Sequence, residues 1–377
     1  MLAGGMRFIL RIIHFIEFFI LAVFCLGCNP SDRSTVLVTW TVITTPTQSA
    51  TVIPDATTLP IKKSITPTVI VQSAETKPKI QFNSWEIVHD LAYSPDGLLL
   101  AISAGDKVRI YDATSLDEKL DIPVGSWTNR LSFHPFLPLI VLAVRDGTIQ
   151  FWNASTGDLV CQFTSHEKGS NSLSIHPDGK ILATTGTDIT SRLWDISSLE
   201  DGACNIREIG SFIGESFSSP DVAFAPDGKS IALVDLSNIR LRDSNDRKLI
   251  ALLESDLPIF DIAFSPDGRW LAAAQHKGTV TLWDLTQPKN PTSIKFLIYD
   301  ENSKIHLWRV AFSPDSSMLA AGASDGTLTI WDISSKKVID SFHVPSAVTA
   351  LSFARDGKSI TAGGLVAEVW VFPVDPK

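Results

Sequence analysis

The sequence is poor in charge, and the charge that it has is mostly acidic. Charged residues make up 19% of the chain, and 41 Asp and Glu outnumber 32 Lys and Arg, for a formal net charge of −9. A nucleic-acid partner or an anionic lipid surface would require a basic face, so this balance argues against both. With 44% hydrophobic residues, the composition is that of a β-rich globular protein.

The arrangements that catalysis or metal binding needs are also lacking. The four cysteines have no metal-type spacing, and no glycine-rich phosphate loop or paired-carboxylate signature is present. Residues 322–326 match the Gly-x-Ser-x-Gly of serine hydrolases, which requires a strand–turn–helix. The residues that follow, 327–331, alternate like a strand instead. We therefore expect a protein without catalytic residues, metal or cofactor.

The longest apolar run stands near the N-terminus. Arg7 and Arg11 precede the apolar residues 12–24, and Cys28 follows shortly after. A basic start and an apolar core are typical of a secretory signal, and the Gly-Cys pair resembles a bacterial lipoprotein processing site at which Cys28 is lipidated. The alternative is an uncleaved helix over residues 8–24, at the lower limit of what spans a bilayer. Both place the rest of the chain outside the cytoplasmic membrane, anchored to it.

Residues 29–79 are rich in Thr, Ser and Pro. Short polar side chains and scattered prolines cannot build a packed core, so we expect a flexible linker between the anchor (residues 1–28) and the rest of the chain.

From about residue 80 to the end, one sequence motif recurs seven times. An apolar pair leads into a turn that reads Ser-Pro-Asp-Gly in its cleanest copies, and the second residue of each turn follows the previous one by 40, 42, 49, 40, 48 and 41 positions. A period of this length is typical of a repeat architecture. These second residues are Pro95, Pro135, Pro177, Pro226, Pro266, Pro314 and Arg355.

A repeat contains four short runs of β-branched and aromatic residues separated by Gly, Pro and Asp, except the last, which ends after three. Four strands in about 40 residues correspond to one blade of a β-propeller. The sequence therefore predicts an all-β, seven-bladed propeller of four-stranded antiparallel blades over residues 80–377.

A Trp-Asp pair ends the third strand of several repeats and makes the chain resemble the WD-repeat (WD40) family. The pair is clean at Trp194-Asp195, Trp283-Asp284 and Trp331-Asp332, so that repeats three, five and six match best. In this family the ring commonly closes when an N-terminal strand completes the last blade. The resemblance therefore implies that residues 80–82 form the outer strand of blade seven.

The resemblance also implies a hydrogen-bonded tetrad of His, Ser/Thr, Asp and Trp within a blade. Only the third repeat matches at all four positions, with His166, Thr184, Asp188 and Trp194. Because buried polar groups need partners, the tetrad is interpreted as structural and not catalytic.

Partners of WD-repeat proteins commonly dock on the face that carries the outer-to-inner strand loops and the second-to-third strand turns. Positions at fixed offsets from each turn proline, together with the residue before the tetrad Asp, reach that face. Large rings, Arg and His at such positions are typical of interaction hot spots. These positions predict a partner-binding set of His89, Trp127, Asn129, Arg145, Phe260, His276, His306 and Trp308.

Two further expectations concern Cys and His. Outer strands of neighbouring blades diverge, so Cys161 and Cys204 are expected to remain unpaired thiols. His89, His276 and His306 fall near one end of the channel, and we expect a scattered, solvated set and not a metal site.

The leading hypothesis is a membrane-tethered, extracytoplasmic bacterial propeller that scaffolds a protein or peptide partner. It would touch the membrane only through its N-terminal anchor. The alternative is a carbohydrate-binding or enzymatic propeller that uses the channel mouth, and a third possibility is a purely structural surface protein. The sequence predicts that the scaffold's partner docks on the aromatic face.

Overall fold

The computed structural model describes residues 78–213, 221–299 and 303–375. The predicted anchor with Cys28, and the predicted linker as far as residue 77, lie outside these ranges. Within them the chain forms 28 β-strands and one 3-10 helix, Ser197–Asp201, and the strands make seven four-stranded antiparallel sheets. The predicted all-β, seven-bladed propeller is confirmed.

The first three blades follow the chain order. Blade 1 contains β2 (Val88–Tyr93), β3 (Leu99–Ala104), β4 (Lys107–Asp112) and β5 (Glu118–Pro123). Blade 2 contains β6 (Thr128–Phe133), β7 (Leu139–Val144), β8 (Thr148–Asn153) and β9 (Leu159–Thr164). Blade 3 contains β10 (Ser170–Ile175), β11 (Ile181–Gly186), β12 (Thr190–Asp195) and β13 (Arg207–Ile213).

The remaining blades continue the pattern until the last one, which recruits the first strand of the chain. Blade 4 contains β14 (Val222–Phe224), β15 (Ser230–Asp235), β16 (Asn238–Asp243) and β17 (Leu249–Glu254). Blade 5 contains β18 (Ile259–Phe264), β19 (Trp270–Gln275), β20 (Thr279–Asp284) and β21 (Thr292–Leu297). Blade 6 contains β22 (Leu307–Phe312), β23 (Met318–Ala323), β24 (Thr327–Asp332) and β25 (Lys337–His343). Blade 7 contains β26 (Val348–Phe353), β27 (Ser359–Gly364), β28 (Glu368–Pro373) and β1 (Ile80–Gln81).

The recurring turn joins the first and second strands of a blade by local hydrogen bonds. In blade 1 the Ser94 hydroxyl donates to the Asp96 carboxylate at 2.5 Å and accepts the backbone N–H of Leu99 at 2.9 Å. Gly97 closes the turn with a φ of +74°, which glycine adopts at the least cost. The turn chemistry therefore fixes where each inner strand ends and the next strand begins.

Apolar contacts between blades form the core. Seven buried clusters are present among the described residues, and each lies between two neighbouring blades around the ring. The second strand of a blade packs on both of its faces, so β7 is a continuous apolar run in which every residue is buried. The seven interfaces together close the ring.

The seam of the ring lies between blades 7 and 1. In the seventh sheet, Ile80 and Gln81 pair antiparallel with Val369 and Glu368 of β28. Ile80 also packs in the cluster that contains Val88 of blade 1 and Val369 of blade 7. The N-terminal strand thus covers the last blade and contributes to the core at the seam.

The two ends of the blades form two faces, which we name by their connections. The turn face carries the first-to-second strand turns, and the loop face carries the outer-to-inner strand loops and the second-to-third strand turns. β1 runs from the turn-face side toward the loop face, opposite to β28. After β28 the N–H of Val374 donates to Lys358 O beside the turn of blade 7. Both described chain ends therefore lead to the turn-face side.

The expectation that Cys161 and Cys204 remain unpaired is wrong. The two residues form a disulfide, with their Cα atoms 5.4 Å apart. Cys161 lies on β9 of blade 2, but Cys204 precedes β13 and belongs to the segment after the 3-10 helix of blade 3. Cys204 is therefore not part of the outer strand of blade 3, and the divergence of the outer strands does not separate its sulfur from that of Cys161.

Candidate functional site

The candidate site begins with a β-bulge that recurs in the inner strands. In the six inner strands for which the structure describes this position, the register with the second strand shifts by one residue, always six positions before the turn position. A bulge re-aims the side chain of its extra residue. The extra residues are His89, Asn129, Asn171, Phe260, Trp308 and Thr349.

Several bulged residues contact the inner strand of the next blade. The Asn129 side-chain amide donates to Ser170 O at 2.8 Å, and the Thr349 hydroxyl donates to Val88 O at 2.6 Å. Asn129 was predicted to bind a partner, whereas the structure uses its amide to join blade 2 to blade 3. Side chains at the bulge position can therefore join neighbouring blades, in addition to lying on the loop face.

The structure brings three of the predicted binding residues together on the loop face at blades 1 and 2. The Trp127 ring lies 5.0 Å from the His89 ring, and the Arg145 guanidinium lies 4.9 Å from the centre of a Trp127 ring. Trp127 is 38% exposed and Arg145 is also exposed, whereas His89 is half-buried beside them. Burial, with help from Arg145 and Arg309, lowers the pKa of His89 to about 4. We call these three residues the Trp127 cluster; its imidazole is neutral at pH 7 and its only charge is the guanidinium.

Four other predicted residues form a second group, the Phe260 cluster, which comprises Phe260, His276, His306 and Trp308. The His276 and His306 rings are 4.3 Å apart, and Phe260 lies 5.5 Å from His306 and 4.9 Å from Trp308. All four side chains are half-buried. Burial lowers the pKa of His306 to about 4, and the neighbouring His276 lowers it further.

The expectation of three scattered, solvated histidines is therefore wrong in part. His276 and His306 are in contact, while His89 stands with Trp127 in the other cluster. Among the residues that the structure describes, no group of three or more His, Cys, Asp or Glu is placed to hold a metal ion.

Sequence reasoning missed further apolar residues on the loop face near the seam. Trp85 is 58% exposed, and its ring lies against Gly105 in the turn between β3 and β4. Leu365 and Val366, exposed to 48% and 38%, lie in the turn between β27 and β28. The three residues do not stand at the positions counted from the turns, so the prediction did not include them.

A buried charged network in the channel was also missed. It occupies a single position of the repeat, five residues before the turn position, so the same counting that found the turns could have found it. The charged residues at this position are Asp90, Arg130, Asp221, Asp261 and Arg309.

Arg130 is the centre of this channel network. From blade 2 its Nη2 donates to Asp261 Oδ1 of blade 5 at 2.6 Å and lies 3.2 Å from Asp221 Oδ2. The Asp261 carboxylate also accepts the backbone N–H of Val310 from blade 6 at 2.9 Å. Burial raises the pKa of Asp261 to about 6, although Arg130 and Arg309 act to lower it.

The channel carboxylates also connect neighbouring inner strands. Asp90 accepts the backbone N–H of Leu131, and Asp221 accepts that of Ile262, each at 2.9 Å. Each acceptor belongs to one blade and each donor to the next. The acidic residues of the channel are therefore engaged by the ring itself.

The four tetrad residues lie together in blade 3. The Trp194 indole N–H donates to Thr184 Oγ1 at 2.9 Å, the Thr184 hydroxyl lies 2.9 Å from His166 Nε2, and His166 Nδ1 lies 2.9 Å from the Asp188 carboxylate. The Thr184 hydroxyl accepts a hydrogen bond from Trp194 and donates its own proton to His166 Nε2. His166 Nε2 is then the acceptor, so the imidazole proton is on Nδ1, which donates to Asp188. The polar groups of the four side chains are thus hydrogen-bonded to one another, as expected for a structural tetrad.

Comparison with known proteins identifies three of the repeats. The family model "WD domain, G-beta repeat" matches residues 157–195, 247–284 and 297–332. Each match runs from the end of one blade to the Trp-Asp pair of the next, and the three pairs are those of repeats three, five and six. The repeats with the cleanest motifs are thus the ones recognised.

Individual relatives cover parts of the chain. The "Striatin homolog" of Dictyostelium discoideum is 34% identical over 73 residues, which cover 19% of this chain and 9% of that protein. Human "Striatin" is 34% identical over 70 residues, with the same coverage. The "Nuclear distribution protein PAC1" of Arthroderma otae is 26% identical over 225 residues, 51% of this chain and 48% of that protein. These relatives are eukaryotic and give no support to a bacterial origin.

No helix within the described ranges is long and apolar enough to cross a membrane. The chain matches about half the length of its PAC1 relative and about a tenth of its striatin relatives. The seven sheets and the recurring turns show a seven-bladed β-propeller, and three of its repeats match the WD-repeat family model.

Proposed function

We propose that the protein is an interaction scaffold that binds a protein or peptide partner on the loop face of blades 7, 1 and 2. The observation that carries this proposal is the stacked, exposed pair of Trp127 and Arg145. Trp85, Leu365 and Val366 are exposed on the same face, at blades 1 and 7. Trp and Arg are the residues most enriched at binding hot spots, and apolar neighbours exclude water around them. The WD-repeat relatives are consistent with such a scaffold.

The two clusters have different roles in this proposal. The Trp127 cluster presents an exposed ring and a guanidinium, so a partner gains contact area without unpacking the propeller. The rings of the Phe260 cluster are half-buried against one another between blades 5 and 6. We therefore assign recognition to the Trp127 cluster and mainly packing to the Phe260 cluster.

The channel favours a binding module over an enzyme or a carbohydrate-binding propeller. Either alternative needs polar groups at the channel mouth that are available to a substrate. The carboxylates of Asp90, Asp221 and Asp261 instead accept backbone N–H groups of neighbouring blades, and two of them pair with Arg130. These acidic groups are occupied by structural interactions.

The proposal places the propeller outside the cytoplasmic membrane of a bacterium, tethered through residues 1–28 and the linker 29–79. The tether would join the propeller through β1, which the chain enters from the turn-face side. The proposed binding surface lies on the opposite face, the loop face.

Membrane fractionation of a Cys28→Ser variant tests the form of the anchor. If Cys28 carries the lipid, the variant is expected to leave the membrane fraction, since the lipid supplies the attachment. If the variant stays with the membrane as the parent does, the lipidation proposal is overturned and the uncleaved helix takes its place.

In-cell crosslinking tests the binding surface directly. The double variant Trp127→Ala/Arg145→Ala is expected to lose the crosslinked partners of the parent, because truncating one hot-spot residue weakens binding by about 2 kcal/mol, or roughly thirtyfold. Phe136→Ala is the matched control, because Phe136 is an aromatic residue of the same blade, 72% exposed, on the turn face. Parent-like crosslinks in the double variant would refute the proposed surface, as would a loss of crosslinks in Phe136→Ala alone.

A further inference from the structure

Blade 3 has a long connection between its third and outer strands, and this connection folds back onto blade 2. It contains the 3-10 helix Ser197–Asp201, from which Leu199 packs in the apolar cluster between blades 2 and 3. The Ser198 hydroxyl donates to Ala203 O and accepts the backbone N–H of Asn205, both at 3.1 Å. These bonds hold the residues on either side of Cys204 in place.

Cys204 is thereby placed against the outer strand of the neighbouring blade. Its disulfide partner Cys161 lies on β9 of blade 2 and is only 3% exposed, whereas Cys204 belongs to the exposed segment 200–205. The Cα–Cα distance of 5.4 Å lies in the usual range for a disulfide. The bond therefore fits the positions that noncovalent contacts already give to the two blades.

We propose that this bond is an interblade staple that forms in an oxidising compartment and makes the stability of the ring depend on its redox state. In a propeller each blade contacts only its neighbours, so opening one interface opens the ring. The apolar cluster between blades 2 and 3 holds this interface from within, and the disulfide holds it at the outer edge. The staple is independent of the partner surface, which lies on the loop face of blades 7, 1 and 2.

Formation of the staple requires an external disulfide, from a small-molecule thiol pool or a thiol–disulfide oxidoreductase. The exposed Cys204 thiolate attacks that disulfide, forms a mixed disulfide and releases one thiol. The Cys161 thiolate then attacks the Cys204 sulfur and releases the second thiol. The two protein thiols lose two protons and two electrons, and the donor disulfide is reduced to two thiols.

The staple also has a consequence for where the protein folds. Cytosolic thiol pools keep cysteines reduced, whereas secreted and periplasmic proteins form disulfides that persist. The bond closes a loop with a sequence separation of 43 residues, and a cross-link of such a loop restricts the unfolded chain substantially. A propeller made in a reducing compartment is thus expected to be the less stable form.

Peptide mapping of the full-length protein, purified from an oxidising compartment, tests whether the bond forms. After denaturation and alkylation without reductant, the peptides that contain Cys161 and Cys204 are expected as one linked pair. With reductant they are expected as two alkylated peptides. Two alkylated peptides without reductant would overturn the proposal.

Thermal melting tests whether the bond is a staple. The reduced parent is expected to melt several degrees below the oxidised parent, and the Cys161→Ser/Cys204→Ser variant to melt like the reduced parent with or without reductant. Equal melting temperatures for the oxidised and reduced parent would overturn the structural role. Below its melting temperature, the double serine variant is expected to give the same partner crosslinks as the parent. The peptide mapping and the melting temperatures need no partner, so the staple can fail or hold separately from the scaffold proposal.

Discussion

Replacement of Arg130 by Met is expected to destabilise the propeller by about 3–5 kcal/mol, because it removes the cation that lies closest to two buried carboxylates. Arg130 Nη2 lies 2.6 Å from Asp261 and 3.2 Å from Asp221, whose side chains are only 3% and 7% exposed. The methionine would fill much of the space of the arginine stem but would not supply charge. Urea unfolding of the parent and variant at pH 7.5 measures the difference.

The matched control is Arg207→Met. Arg207 also pairs with a carboxylate, Asp195, at 2.8 Å, but its side chain is 73% exposed. Exposed ion pairs contribute about 0–1 kcal/mol, so this variant is expected to unfold like the parent. A loss in Arg130→Met no larger than that in Arg207→Met would show that the channel network does not hold the ring.

The pH dependence gives the same experiment a second readout. The folded-state pKa of Asp261 is raised from its usual 3.8 to about 6, so the contribution of this group to stability falls as the pH rises through that window. Without Arg130 its pKa is expected to rise further. The deficit of Arg130→Met should therefore be smaller at pH 5 than at pH 7.5, which a general packing defect would not produce.

The architecture could be predicted from the sequence because each unit repeats its signals. The turn with Ser94, Asp96 and Gly97 uses side-chain bonds that any copy with the same residues can form. Each copy forms one blade that packs against the next, so seven copies give a ring of seven blades. The predicted binding positions were found by counting from the same turns, and four of the eight are the extra residues of the bulges, namely His89, Asn129, Phe260 and Trp308.

The features that escaped prediction depend on distances across the ring or on local departures from the repeat. Counting along the chain places Arg130 and Asp261 at the same position of their repeats, but their contact at 2.6 Å across the ring follows from the curvature of the ring. The Cys161–Cys204 bond depends on the path of a connection unique to blade 3. Trp85 stands in the loop before blade 1, at a position that counting from the turns does not reach. Counting along the chain locates what repeats but not what is unique.

Replacement of Trp194 by Ala is expected to cost about 3–5 kcal/mol, as a truncation of a buried aromatic residue. Trp194 is 7% exposed, its ring lies 4.6 Å from that of Phe163, and its N–H donates to Thr184 Oγ1. The change would open a cavity between blades 2 and 3 and remove one end of the tetrad. Thermal melting and urea unfolding measure the loss.

Two variants separate packing from hydrogen bonding at this position. Trp194→Phe keeps most of the ring but removes the donor to Thr184, and the net loss of one hydrogen bond is expected to cost about 0.5–1.5 kcal/mol. Trp85→Ala removes a tryptophan that is 58% exposed and is expected to change stability by less than about 1 kcal/mol. If Trp194→Ala melted like Trp85→Ala, the assignment of Trp194 to the core of blade 3 would be wrong. If Trp194→Phe were as unstable as Trp194→Ala, the hydrogen bond to Thr184, and not the packing of the ring, would hold this interface.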